Sequence, residues 1–237
     1  KCKMSIIKAK SAGYCFGVNK AVETAYESSK NKNERVYTLG PLIHNAFVTN
    51  ELKEKGVDII EDLDSIESGT VIIRSHGVGK DVYDKIKEKN LKLIDATCPY
   101  VKSIQNKVEK YHNKGYTIII VGDKNHPEVI GVNGWCENSA HVIFSLDEAR
   151  EFKTDNSVCI VAQTTIIKSI FNDITDIIKE NCADVVIFNT ICNATSVRQE
   201  EASKIASEVE AMVVVGDTHS SNTKKLVEIS KSKCKNV

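Results

Sequence analysis

The sequence predicts an α/β fold of three similar modules with mainly parallel sheets, arranged pseudo-threefold about one centre. Three observations lead there. Short β-rich apolar runs alternate with longer amphipathic stretches along the chain, the pattern of parallel sheets covered by helices. Three times a strand runs into a cysteine and a helix follows. Each of those cysteines is followed, at 29, 28 and 27 residues, by a histidine in a strand-end loop, and three nearly equal spacings mark an internal repeat.

Taken in order, a strand at 5–9 leads to AGYCFGVNK at Cys15 and a helix at 18–30; VYTL at 36–39 opens into GPLIHN with His44; and VIIR at 71–74 opens into SHGVG with His76. A helix at 80–89 and a strand at 91–95 complete module 1, residues 15–97. Module 2, residues 98–191, begins at Cys98 with a helix at 101–114, then TIIIVG at 117–122 runs into NHPE with His126 and Glu128. Strands at 142–144 and 158–162 follow, the second ending in Gln163, Thr164 and Thr165, then a helix at 167–180 and a strand at 185–189. Module 3 comprises 192–237 together with 1–14: Cys192, a helix at 198–210, a strand at 212–216, the loop with His219, Ser220, Ser221 and Asn222, and a helix at 224–230. Successive cysteines stand 83 and 94 residues apart while 45 residues follow Cys192. Module 3 is therefore about half present, and the chain is expected to be a piece of a longer one; residues 1–3, ahead of Met4, also look unlike a natural start.

Composition narrows the class. The 237 residues carry 32 Lys+Arg against 32 Asp+Glu, which gives no basic footprint for nucleic acid. No apolar run reaches the roughly 18–20 residues that a membrane span needs, and no secretory leader pattern is visible. Eight cysteines fit neither a disulfide scaffold nor zinc-finger spacing, so a reduced, cytoplasmic protein is expected. Cys2, Cys136, Cys159, Cys182 and Cys234 fall outside the repeat register and read as small buried hydrophobes.

The repeat positions carry the chemistry. Ligands of α/β sheets gather at the carboxyl ends of strands, where Cys15, Cys98 and Cys192 all lie. Three converging thiols suit an iron–sulfur cluster with one iron free of protein ligand, or a zinc held by three thiolates and water. His44, His76 and His126, with Ser220, Ser221 and Asn222 ahead of a helix, compose a cradle for phosphate or diphosphate. Glu128 is either a proton donor made usable by a dry pocket or a first-turn glutamate that complements a helix dipole after Pro127. Thr164 and Thr165 read as strand-end caps or as a relay for that proton.

The stretches AGYCFGVNKAVE, LGPLIHN, RSHGVG, DATCPYV, NHPEVIGVNGW, AQTT, NTICNATSVRQ and GDTHSSNTKKL closely resemble the hydroxymethylbutenyl diphosphate reductase (LytB/IspH) family, in family order over almost the whole chain. The resemblance implies a [4Fe–4S] cluster bound by Cys15, Cys98 and Cys192 with one open iron. It implies a reductive dehydroxylation of 4-hydroxy-3-methylbut-2-enyl diphosphate to isopentenyl and dimethylallyl diphosphates, the last step of the methylerythritol phosphate route to isoprenoids. His44, His76, His126, Ser220, Ser221 and Asn222 would contact the diphosphate, with Glu128, Thr164 and His126 as the catalytic set. Thr164 would also position the substrate hydroxyl, and ferredoxin or flavodoxin would deliver electrons. The family's last diphosphate-binding serine loop has no counterpart here. Alternatives are an iron–sulfur electron-transfer protein, a fragment impaired by that missing loop, and a zinc hydrolase.

Overall fold

The structure, a computed structural model, describes residues 5–237; Cys2 and the rest of residues 1–4 lie outside the described residues. In chain order the elements are α1 (Phe16–Ser29), β1 (Val36–Leu39), α2 (Ala46–Glu54), β2 (Val57–Ile60), β3 (Thr70–Ile73), α3 (Lys80–Glu88), β4 (Lys92–Asp95), α4 (Pro99–His112), β5 (Thr117–Val121), α5 (Pro127–Asn133), β6 (His141–Ile143), α6 (Leu146–Glu151), β7 (Val158–Ala162), α7 (Lys168–Asn181), β8 (Val185–Ile187), α8 (Asn193–Glu208) and α9 (Ser221–Lys231).

Two four-stranded sheets result, ordered β2-β1-β3-β4 and β6-β5-β7-β8. Every pairing is parallel, and the two orders are the same when each sheet is numbered from its own first strand. Strand order reverses between β1 and β3 in one sheet and between β5 and β7 in the other. These are the switch points beside which a crevice opens at the strand carboxyl ends.

Val- and Ile-rich runs make these strands because both of their faces are covered. Val36 and Ile72 face Ala21, Val22 and Leu52 of α1 and α2, whereas Tyr37, Val71 and Ile73 face Ile86 of α3. In the second sheet Ile118, Ile120, Cys159 and Val161 pack against Val101, Ile104 and Val108 of α4, while Ile119, Val158 and Ile160 meet Phe171, Ile174 and Ile178 of α7. Each fully buried isoleucine contributes roughly 2 kcal/mol of apolar burial. Cys136, Cys159, Cys182 and Cys234 are buried as well.

The third segment departs from expectation. Among the described residues, neither 5–9 nor 212–216 forms a strand; only an isolated parallel bridge joins Ala211 to Asn236. A strand needs a partner ladder, and here Ile6, Val213 and Val215 stand 88%, 82% and 90% exposed. The N-terminal stretch is instead tied to α8, where Glu201 accepts the backbone N–H of Lys10 (2.7 Å) and Ser11 (2.8 Å), and Arg198 donates to the carbonyls of Ser11 (3.1 Å) and Gly13 (2.7 Å). Among the described residues no helix is long and apolar enough to cross a membrane.

Candidate active site

Each of the repeat cysteines sits at a helix start. Cys15, Cys98 and Cys192 are the N-cap residues of α1, α4 and α8, and none of their side chains makes a capping hydrogen bond. The sulfurs are thus not spent on capping their own helices. All three thiols are free and partly buried. Burial pushes the Cys98 thiol up from its ordinary value, and the neighbouring Cys15 and Cys192 push it further the same way, which puts Cys98 within electrostatic reach of both. The Cys98 sulfur lies against the first turn of α1, where a Cβ on Gly17 would come within 2.6 Å of it.

The histidines come from the switch-point loops. His44 follows β1, His76 follows β3 and His126 follows β5. Their ring centroids lie 4.7, 6.1 and 5.6 Å apart, and one nitrogen from each falls in a group within 4.8 Å. His44 Nε2 and His76 Nδ1 are sealed from solvent without a hydrogen-bond partner. His126 caps α5, its Nδ1 accepting from Glu128 N at 3.1 Å, with Pro127 fixing the first turn. Burial is the main cause that holds all three imidazoles below their ordinary range, His126 at about 4, and the Arg74 guanidinium adds to it in each case. Near neutral pH the trio is uncharged. Such nitrogens suit a divalent cation by spacing alone, but the guanidinium beside them favours an anion. The repeat's third histidine, His219, is exposed and stands outside this trio.

Glu128 joins the two readings that the sequence leaves open. It lies in the first turn of α5, yet its side chain turns inward and is 3% exposed. Its Oε1 accepts from Thr164 N and its Oε2 from Thr164 Oγ1, both at 2.6 Å. Burial lifts the carboxyl to about 7, against the opposing pull of those two bonds. A carboxyl so poised exchanges protons near neutral pH. The Thr164 carbonyl accepts from Cys192 N (3.0 Å), and the Ser75 carbonyl, beside His76, accepts from Cys98 N (3.0 Å). Backbone hydrogen bonds therefore join the polar loops to two of the cysteines.

The 217–222 loop meets both sheets. Asp217 accepts from Ala46 N at the start of α2 (3.4 Å), and Ser221 Oγ pairs with Thr165 Oγ1 (2.8 Å) and accepts from Gln163 Nε2 (3.3 Å). Ser220 is the N-cap of α9, its Oγ accepting from Thr223 N at 3.3 Å, and Asn222 lies half-buried in the first turn.

The family model for the LytB protein matches residues 6–237. The chain belongs to the LytB family. It is 51% identical over 229 residues to the 4-hydroxy-3-methylbut-2-enyl diphosphate reductase of Alkaliphilus oremlandii, covering 96% of this chain and 82% of that protein. The reductase of Caldanaerobacter subterraneus is 50% identical over 237 residues, with 98% and 82% covered. Among solved structures, the Plasmodium falciparum reductase superposes with a TM-score of 0.87 at 31% identity, covering 93% of this chain and 71% of that one. A structure of (E)-4-hydroxy-3-methyl-but-2-enyl diphosphate reductase, the terminal enzyme of the non-mevalonate pathway, gives 0.73 at 44% identity, with 98% and 83% covered. The LytB fold of three α/β modules is the fold of this chain, and membership implies an iron–sulfur cofactor. The uncommitted, partly buried thiols at three helix starts fit such a group.

Two residues beside these side chains stand outside the set expected from sequence. Arg74 directly follows the buried strand β3, two residues before His76, and a charge in that position is the signal. Gly17 carried none, because its need is set by a sulfur 81 residues away.

Proposed function

We propose that this chain reductively dehydroxylates 4-hydroxy-3-methylbut-2-enyl diphosphate to isopentenyl and dimethylallyl diphosphates, consuming two electrons and two protons and releasing water. The observation that carries the reading is the juxtaposition of an imidazole trio with two sealed, unpartnered nitrogens and a buried, protonatable Glu128 bonded to Thr164. One part suits an anion and the other supplies protons in a dry site.

In this reading Cys15, Cys98 and Cys192 hold a [4Fe–4S] cluster, which when bound supplies electrons and a Lewis-acidic iron open to the substrate oxygen. His44, His76, His126, Ser220, Ser221 and Asn222 bind the diphosphate, whose remote binding energy orients the small reacting end. Ser221 must exchange its bonds to Gln163 and Thr165 for that contact. Thr164 Oγ1 holds the substrate hydroxyl; when Glu128 is protonated its bond to Thr164 reverses from the one seen here, the carboxyl proton on Oε2 passes to Thr164 Oγ1, and the threonine's own proton passes to the substrate oxygen, which leaves as water. A one-electron carrier of the ferredoxin or flavodoxin class is the donor, the enzyme works in the cytoplasm, and the modules run 15–97, 98–191 and 192–237 with 1–14.

Anaerobic purification with iron and sulfide analysis, followed by turnover with a chemical reductant, tests the reading. Near-stoichiometric iron and sulfide, an absorption band near ~400 nm perturbed by the substrate, and both diphosphate products are expected. A zinc-loaded protein without turnover would sink the proposal.

A further inference from the structure

Arg74 stands between the loops that carry His44 and His76. Its Nη1 lies against the bare backbone of Gly40, where a Cβ would come within 2.5 Å and where φ is +68°. Its Nε is sealed from solvent without a partner. Among the described residues no carboxylate comes within 4.0 Å of the guanidinium; Glu61 acts on it only at longer range. A guanidinium stays charged in proteins, and a half-buried charge left unpaired is costly. Its position is explained if a negative partner arrives with the ligand.

We propose that Arg74 is the fixed positive charge of the diphosphate subsite and sets its preference for a multiply charged anion over the neutral imidazoles alone. This rests on the function proposed above. Arg74 supplies charge while the imidazoles supply hydrogen bonds, a division of labour that three neutral rings cannot provide. The same charge faces every member of the trio. His44 also faces Asp217, His219 and Lys224; His126 faces Asp123 and Lys224; and the three rings face one another. Removing Arg74 therefore lets the rings take up protons at higher pH than before.

The test is titration of the holoenzyme with inorganic diphosphate by calorimetry between pH 6 and 8, using the parent protein, R74Q and R74K. R74Q is expected to bind about tenfold more weakly at pH 8, the scale of one charge-assisted contact. Burial, the main cause, still holds the rings neutral over this range, so the deficit of R74Q should persist from pH 8 to pH 6. R74K, which keeps the charge, should stay within about threefold of the parent at pH 8. Parent-like affinity and pH profile in R74Q would overturn the proposal. So would a loss in R74K as large as tenfold, and that arm decides the matter if R74Q does not fold. A parent protein that fails to bind diphosphate would instead overturn the underlying functional reading, and this inference with it.

Discussion

At the scale of single residues, Glu128 is where burial and reactivity meet. The proposed role predicts that Glu128→Gln keeps the iron content and ligand-perturbed spectrum of the parent while turnover falls by about 10²–10⁴, the usual worth of a positioned acid; anaerobic product analysis checks it. The same residue gives a stability signature. Its folded-state value of about 7 lies above the ordinary 4.5, so the folded form keeps a proton that the unfolded form has lost. The contribution is fully present below pH 4.5 and is lost as pH rises through 7, by about 3 kcal/mol at 1.36 kcal/mol per pH unit. Urea unfolding of the parent and Glu128→Gln at pH 5 and pH 8 should show the variant's relative stability rising with pH. His126, held at about 4 against an ordinary 6.5, works in the other direction. Its contribution is present above pH 6.5 and is lost as pH falls through 4, so the comparison of variants isolates the carboxyl.

At the scale of elements, the decisive device is a helix that begins directly after a functional residue. Pro99 and Pro127 at the first helical positions of α4 and α5 remove an amide that would have no partner and preset the backbone, which fixes where Cys98 and His126 point. This was legible, because cysteine or histidine followed by proline and an apolar repeat announces a helix start. Less was legible in β2 (Val57–Ile60) and α6 (Leu146–Glu151), short pieces whose identity depends on pairing with neighbours already in place. The strands expected at 5–9 and 212–216 failed for the same reason in reverse, since their short apolar runs had, among the described residues, no ladder to join. Gly17 is the element-scale test. Gly17→Ala should retain helical content in circular dichroism, since alanine is the better helix former, while displacing the Cys98 sulfur and lowering bound iron at least about twofold. Unchanged iron would show that the close approach is unimportant.

For the molecule as a whole, the two sheets repeat one strand order, and that repetition is why the 29- and 28-residue Cys-to-His spacings are legible in the amino-acid sequence: one topology returns His44 and His126 to the ends of equivalent strands, whereas the third spacing ends at His219, outside both sheets. What spacing cannot convey is which loops meet across modules. The Asp217 contact with α2 and the pairing of Ser221 with Gln163 and Thr165 depend on how separate modules are packed, and nothing local in sequence encodes them. The exposed alternation of Val213 and Val215 has a practical consequence for handling the protein. An unpaired, β-branched edge is a template for joining chains end to end. Light scattering should therefore detect self-association that grows with concentration, and V213K with V215E should suppress it without loss of fold. Colloidal behaviour in the tube, and with it the choice of working concentration, is then governed by two valines that take no part in the chemistry.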